Sequence, residues 1–461
     1  MFNKQQRVML TNNLFEKYNK PVPRYTSYPA VPHWEEEKLC KQKWRLTVKE
    51  AFKKYNEEYG ISLYIHLPYC ESLCTYCGCN TRITVNHKVE VPYITTLLKE
   101  FDMYCELFGT KPKLKEIHLG GGTPTFFSPA NLKFLLSEIQ DRCIVEKEVE
   151  FSFEAHPANT TKEHLEELRK LGFKRLSLGI QDFDPEIQRI INRKQSFEDV
   201  KQVVENARHL WYKSVNFDIV YGLPKQTIES VQDTIDKVLE LKPERIAYYS
   251  YAHVPWKHKG QRAYDETDLP TNEEKRELYE LGKKAFLAAG YEEIGMDHFA
   301  LPSDDLALAK SEKQLHRNFM GYVPMPSKFL LGLGVSSISD IGLGYAQNVK
   351  SVEGYQEQIE AGRLAVFKGH FMTGVDQVTK EAVTEIMCNE QVKASLISTL
   401  PFELKSKIYD KLHELESDGL IELGEIIKVK EDGRKFVRNI ASAFDYRILE
   451  SENEHRFSMS I

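Results

Sequence analysis

From residue 61 to 251 the chain alternates short apolar runs with amphipathic stretches, and this alternation leaves very few folds open. Residues 62–66, 116–119, 150–155, 175–180, 215–220 and 245–251 read as strands. Between them, residues 91–106, 129–141, 162–171, 185–210 and 228–241 carry a helical period. Strands separated by helices predict parallel βαβ units, closed into a barrel or left as an open sheet. Such folds put their chemistry just beyond the carboxyl ends of the strands. Those ends are a cysteine loop after His66, then Gly120 to Thr123, Glu154, Gln181, Asp218, and Ala252 with His253. Polar groups or glycines at each successive end point to one site at one mouth of the sheet.

The chain of 461 residues has room for one large domain with attachments, or for two to three domains. Ahead of the alternating core, residues 21–30 (PVPRYTSYPA) hold prolines that exclude a central strand or a long helix, so an extended arm is expected. A mixed region follows the core over residues 255–345. Helical patterns around 381–387 and 402–418 then lead into two short runs at 419–424 and 426–433, the pattern of a winged helix. Winged helices often bind DNA, but Glu422, Glu425, Glu431 and Asp432 in or beside this hairpin favour a packing or lid role. The expected division is 1–60 for arm and helices, 61–350 for the catalytic core with its extension, and 351–461 for a C-terminal helical domain.

With 62 basic and 68 acidic residues, the net charge of −6 offers no global attraction to nucleic acid or to an anionic membrane. The most apolar window, 329–338, is short and broken by glycines, so no membrane span is expected. The first twenty residues are polar and lack a signal-peptide core, which makes a cytoplasmic location the expectation. Eight cysteines are present, four of them between Cys70 and Cys79. In a large chain without a secretion signal, such clustering means metal binding or redox work more often than disulfides. Cys40, Cys105, Cys143 and Cys388 are scattered and read as ordinary thiols.

The cluster runs Cys70-Glu-Ser-Leu-Cys74-Thr-Tyr76-Cys77-Gly-Cys79. Closely spaced thiolates on one loop suit an iron–sulfur cluster. Structural zinc, the competing reading, usually takes two separated cysteine pairs, and no second pair follows here. The spacing Cys-x3-Cys-x2-Cys with an aromatic before the third cysteine resembles the radical S-adenosylmethionine (SAM) enzymes. That resemblance implies that Cys70, Cys74 and Cys77 hold three irons of a [4Fe–4S] cluster. The fourth iron would chelate SAM, which reductive cleavage turns into methionine and a 5′-deoxyadenosyl radical. The glycine run at Gly120–Gly122 would line the methionine end. Glu154, Gln181, Arg193 and Asp218 suit a zwitterionic, ribose-bearing ligand, although singly each is more often a solvated or structural residue.

The likeness extends further. The arm 23–29 (PRYTSYP), residues 64–68 (YIHLP), Cys79, residues 179–183 (GIQDF), 216–224 (NFDIVYGLP), 251–253 (YAH), 295–300 (GMDHFA), 316–319 (HRNF) and 345–348 (YAQN) are similar to the oxygen-independent coproporphyrinogen III oxidase family. The resemblance implies an α/β fold: a partial (β/α)6 radical-SAM barrel with an N-terminal extended arm and a mostly helical, winged-helix-like C-terminal domain. It implies two bound SAM molecules, contacted by Tyr64, Tyr76, Gly121, Gly122, Thr123, Glu154, Gln181, Arg193, Asp218, Ala252 and Ile338. Cys79 and Tyr64 would serve catalysis, Cys79 near substrate and off the iron. One departure is His156, where an acidic residue is expected. The implied reaction is oxidative decarboxylation of two propionates of coproporphyrinogen III to the vinyls of protoporphyrinogen IX, in haem biosynthesis. An electron donor and acceptor are required but unnamed, and the family implies a monomer. Arg24, Arg262 and Arg317 are candidates for the substrate's carboxylates. A haem chaperone and an anaerobic haem-degrading methyltransferase on the same scaffold are the rival readings.

Overall fold

A computed structural model describes residues 14–34, 39–450 and 457–459. The polar N-terminal stretch considered above lies outside them up to residue 13. The chain forms two compact units, the larger built from its middle up to Ala307 together with Ser327–Gly369.

The larger unit is organised by a twelve-stranded sheet. Its heart is β1 (Ile61–Leu67), β2 (Lys113–Gly121), β3 (Ile144–Ala155), β4 (Phe173–Gln181), β5 (Ser214–Tyr221) and β6 (Arg245–Ser250). These strands lie side by side in chain order and all run parallel. β1 is buried along nearly its whole length, as a parallel strand covered on both faces should be. The crossover helices are α1 (Glu90–Phe108), α2 (Pro129–Asp141), α3 (Lys162–Lys170), α4 (Phe197–His209) and α5 (Ile228–Leu241). Their apolar stripes bury Leu97, Phe101, Leu135, Leu165, Val204 and Ile235 against the sheet, about 1.5–3 kcal/mol for each such side chain.

The structure departs from the sequence reading in two places. The helix expected over 185–210 is broken into Pro185–Ile190 and α4. Asn192 takes a left-handed φ of 52°, and Ser196 opens a new helix through a capping box with Asp199. The apolar period runs on through the break, which hid it. The sheet also grows at both edges. Beyond β1 stand β9 (Leu330–Leu333), β10 (Ile338–Asp340), β11 (Gly344–Asn348) and β12 (Val366–Phe371), with β9 parallel to β1. Beyond β6 come the antiparallel β8 (His298–Ala300) and then β7 (Glu292–Gly295).

The second unit joins residues 14–34, Leu308–Pro326 and the C-terminal part from His370. It contains helices Gly374–Asn389 and Phe402–Ser417 and a three-stranded sheet of Gln391–Lys393, Ile421–Glu422 and Ile426–Val429. The proline-rich arm is tied into it. Tyr25 and Tyr28 donate their hydroxyls to the two oxygens of buried Asp445, each at 3.1 Å. The guanidinium of Arg438 donates to the carbonyls of Val22 and, at 3.2 Å, Pro23.

Candidate active site

The carboxyl ends of β1 to β6 share one mouth of the sheet. The loop after β1 carries Cys70, Cys74, Cys77 and Cys79, all free thiols. Cys70 Sγ lies 3.3 Å from Thr123 Oγ1 in the glycine loop after β2. Cys74 Sγ accepts from Arg193 Nη1 at 3.6 Å, and Cys77 Sγ accepts from the Cys79 backbone N–H at 3.4 Å. Burial pushes the Cys70 thiol up to about 11, and metal binding removes the proton that burial retains. Among the described residues no three His, Cys, Asp or Glu side chains converge tightly enough to clasp a single ion. The cysteines are strung along one loop, with Thr123 and Arg193 already facing two of the sulfurs. Soft thiolate donors of this kind suit an iron–sulfur cluster.

The glycine run is needed for close approach. Gly121 has φ 117°, and a Cβ there would stand 2.7 Å from the His66 ring. A Cβ on Gly122 would lie 2.5 Å from the Pro68 carbonyl oxygen, inside the backbone of the cysteine loop. Removing those side chains lets the β2 turn press against the end of β1, where Gly122 N–H donates to the Leu67 carbonyl at 2.8 Å and Thr123 N–H to the Tyr69 carbonyl at 2.9 Å. Gly121 N–H donates to Glu154 Oε2 at 3.2 Å.

Glu154, at the end of β3, is half-buried and meets His118 Nε2 at 3.4 Å. Burial works to raise its pKa, but the bonds from His118 and Gly121 outweigh burial and hold the carboxyl below its ordinary value. His118 is held in turn by Ser152 Oγ at 2.8 Å and stacks on the Tyr64 ring at 6.0 Å. Tyr64 Oη lies 3.1 Å from His66 Nδ1, and His66 Nε2 donates to the Asn80 carbonyl at 2.9 Å, tying β1 to the far end of the cysteine loop. Strand register places Tyr64 between His118 on β2 and Gly332 on β9, with Ile338 just past Gly332. Ile338 therefore joins the same row although it comes from a distant part of the chain.

Arg193 sits in the break before α4. Its Nη2 donates to the Gly179 carbonyl at 2.5 Å and its Nε to Gln195 Oε1 at 3.2 Å. Gln195 is anchored by the Ile180 carbonyl at 2.5 Å and by Gln188, whose side chain accepts the Gln195 N–H at 3.1 Å. Gln181, at φ 67°, turns back over Gly179 beside Arg193. Asp218 accepts from Ser177 Oγ and Asn216 Nδ2, both at 2.9 Å, and burial pushes its carboxyl up to about 6. Tyr76 packs on the apolar cluster of Ile187, Ile191, Leu223 and Tyr251, and its carbonyl accepts from Gln261 Nε2, which also reaches the Ala252 carbonyl. His156 stays neutral: burial, with Arg193 nearby, pushes it down to about 3, and its Nδ1 accepts the Ala158 N–H at 3.1 Å. Arg262 lies in this unit, its Nε donating to the Pro255 carbonyl, whereas Arg24 and Arg317 belong to the other unit.

His66, His118 and Gln195 escaped the sequence reading. Nothing local marks them, because their partners come from neighbouring strands or from a break the helical period conceals.

Residues 64–238 match the model of the radical SAM superfamily. The α/β fold and the cysteine site thus define a radical SAM protein, a class built around a [4Fe–4S] cluster and SAM. The relatives narrow this further. The oxygen-independent coproporphyrinogen III oxidase of Pseudomonas aeruginosa is 36% identical over 97% of this chain and 98% of its own length. That of Helicobacter pylori is 38% identical over 94% and 95%. The structure of coproporphyrinogen III oxidase from Escherichia coli, a radical SAM enzyme, superposes with a TM-score of 0.87 at 34% identity, covering 95% of this chain and 98% of that one. This chain belongs to the oxygen-independent coproporphyrinogen III oxidase family.

Proposed function

We propose that this chain catalyses the oxygen-independent oxidative decarboxylation of coproporphyrinogen III to protoporphyrinogen IX in haem biosynthesis. The observation that carries the reading is the full-length likeness to coproporphyrinogen oxidases, combined with a strand-end site in which the cysteine loop, glycine turn, Glu154 and Arg193 interlock. Cys70, Cys74 and Cys77 would hold the cluster, and a catalytic metal site of this kind keeps one position open for its ligand. When bound, the cluster and SAM supply the 5′-deoxyadenosyl radical that takes a hydrogen from the propionate.

The chain's own residues bind and orient. The carboxylate of Glu154 is preset beside the Gly121 N–H for an ammonium group, and Arg193 supplies the cation for a carboxylate. Gln181 and Asp218 suit ribose hydroxyls; with its carboxyl near 6, Asp218 is poised to donate or accept close to neutrality. Thr123, Tyr76, Gly122, Ala252 and Ile338 complete the contacts of two SAM molecules in this reading. Tyr64 and Cys79 face the reacting substrate. The electron donor and acceptor are separate partners. A monomer in the cytoplasm belongs to the same reading; the location is in keeping with cysteines that form no disulfide among the described residues. Among the described residues no helix is long and apolar enough to cross a membrane.

Anaerobic turnover of the cluster-loaded chain with coproporphyrinogen III and SAM tests this. Protoporphyrinogen should form, with methionine and 5′-deoxyadenosine released alongside each vinyl. No protoporphyrinogen from a chain carrying both cluster and SAM would sink the reading, and haem transfer without turnover would replace it.

A further inference from the structure

The loop after β6 lies over the cysteine loop. Gln261, almost fully buried, donates Nε2 to the Tyr76 carbonyl at 3.2 Å, and its Oε1 takes the Val254 N–H at 2.5 Å. The His258 ring stands against Gly78, with Nε2 3.6 Å from where a Cβ would be. Gly260 is close enough to the Thr75 carbonyl that a Cβ would sit 3.2 Å from it. This segment therefore lies directly against the peptide that joins Cys74 to Cys79.

Its outer side is unlike its inner side. Trp256 is 70% exposed, and Lys257 and Lys259 are exposed with no carboxylate partner among the described residues. Lys194, next to Arg193 at the other flank of the cysteine loop, is exposed and unpaired too. The acidic groups that follow are engaged in part: Asp265 caps its own turn, and Asp268 pairs with Lys225 at 2.7 Å. An overall acidic chain thus concentrates unpaired cations and a bare indole over its redox loop. Solvated lysines need no explanation singly. An exposed tryptophan among them does, because indole burial dominates protein contacts while surrounding charges set partner choice and encounter rate.

We propose that Trp256, Lys257 and Lys259 form the docking face for an acidic one-electron carrier protein, which reduces the cluster held on the loop beneath. The inference rests on the cluster reading above. The carrier loses one electron and the cluster gains one, with no atom or proton exchanged. Electron-transfer encounters use small interfaces, so an indole with a few cations is a sufficient footprint.

The probe is reduced flavodoxin, an acidic flavoprotein, mixed anaerobically with the cluster-loaded full chain while bleaching of the cluster absorbance is followed. Photoreduced 5-deazariboflavin, small and uncharged, serves as the control reductant. Lys257→Glu with Lys259→Glu, and separately Trp256→Ala, should slow reduction by flavodoxin about tenfold or more, the scale of electrostatic steering. The deazaflavin rate and the KM for coproporphyrinogen should stay at wild-type values. Lys257→Arg with Lys259→Arg should retain the flavodoxin rate, and added salt should slow wild type towards the charge-reversed variant. Unchanged flavodoxin rates in the variants would overturn the docking face, as would equal slowing by both reductants. A raised substrate KM with unchanged flavodoxin rates would make the patch a substrate subsite instead. A wild-type chain that assembles no reducible cluster would sink the cluster reading itself, a result separate from failure of the face alone.

Discussion

At the scale of single residues, four thiols within ten positions divide by what surrounds them. Cys70 faces Thr123, Cys74 faces Arg193, and Cys77 receives an N–H from Cys79. Serine at Cys70, Cys74 or Cys77 should each abolish the cluster's visible absorbance, because a hydroxyl is a poor substitute for thiolate on iron. Serine at Cys79 should leave that absorbance intact while turnover is lost; disappearance of the cluster in that variant would return Cys79 to the ligand set. The ligand spacing was readable because all four residues lie in one short segment. Glu154 and Gln181 were readable from their places at strand ends. The groups that hold them were not: His118 meets Glu154 across β2 and β3, a pairing set by register that no local pattern encodes.

At the scale of elements, the end of β1 is held by a helix and a loop far apart in sequence. Tyr93 on α1 donates to the His66 carbonyl at 2.7 Å and accepts the Val335 N–H at 3.0 Å. Glu100, about two turns further along α1 and fully buried, accepts from Gly334 N–H at 2.8 Å, Tyr355 Oη at 2.7 Å and Asn348 Nδ2 at 2.6 Å. No cation faces it in that set, and burial raises its carboxyl from the ordinary 4.5 to about 7. A carboxyl that binds its proton more tightly when folded stabilises the fold at low pH, and that contribution is lost as pH rises from about 4.5 to about 7. The loss amounts to about 3 kcal/mol for a shift of this size. Glu100→Gln should therefore flatten the pH dependence of urea stability across that window relative to wild type. Identical slopes in the two proteins would show that Glu100 does not titrate there.

At the scale of the whole molecule, each unit gathers segments from distant parts of the chain. In the smaller one, Asp445 is the clasp: Tyr25 and Tyr28 reach it from the arm, and the N–H groups of Arg447 and Ile448 cap onto it. Asp445→Ala would remove the carboxylate that accepts from two buried tyrosine hydroxyls, at about 1–3 kcal/mol apiece. Tryptic cleavage after exposed Arg24 should accelerate in that variant, with Tyr28→Phe falling between it and wild type. Equal cleavage rates in all three would show that the arm is held by its other contacts.

What the sequence determined by itself was periodic or local: parallel strands covered on both faces read as apolar runs, crossover helices as amphipathic ones, and the cysteine and glycine motifs as short spacings. The tertiary structure decided the rest. It broke the 185–210 period so that Arg193 could turn inward to Cys74, extended the sheet through Gly332 to bring Ile338 into the row of Tyr64, and laid the 254–262 loop over the cysteine loop. Those choices depend on register and on contacts across scores of residues, where the favourable energy comes from neighbours that a linear pattern does not record.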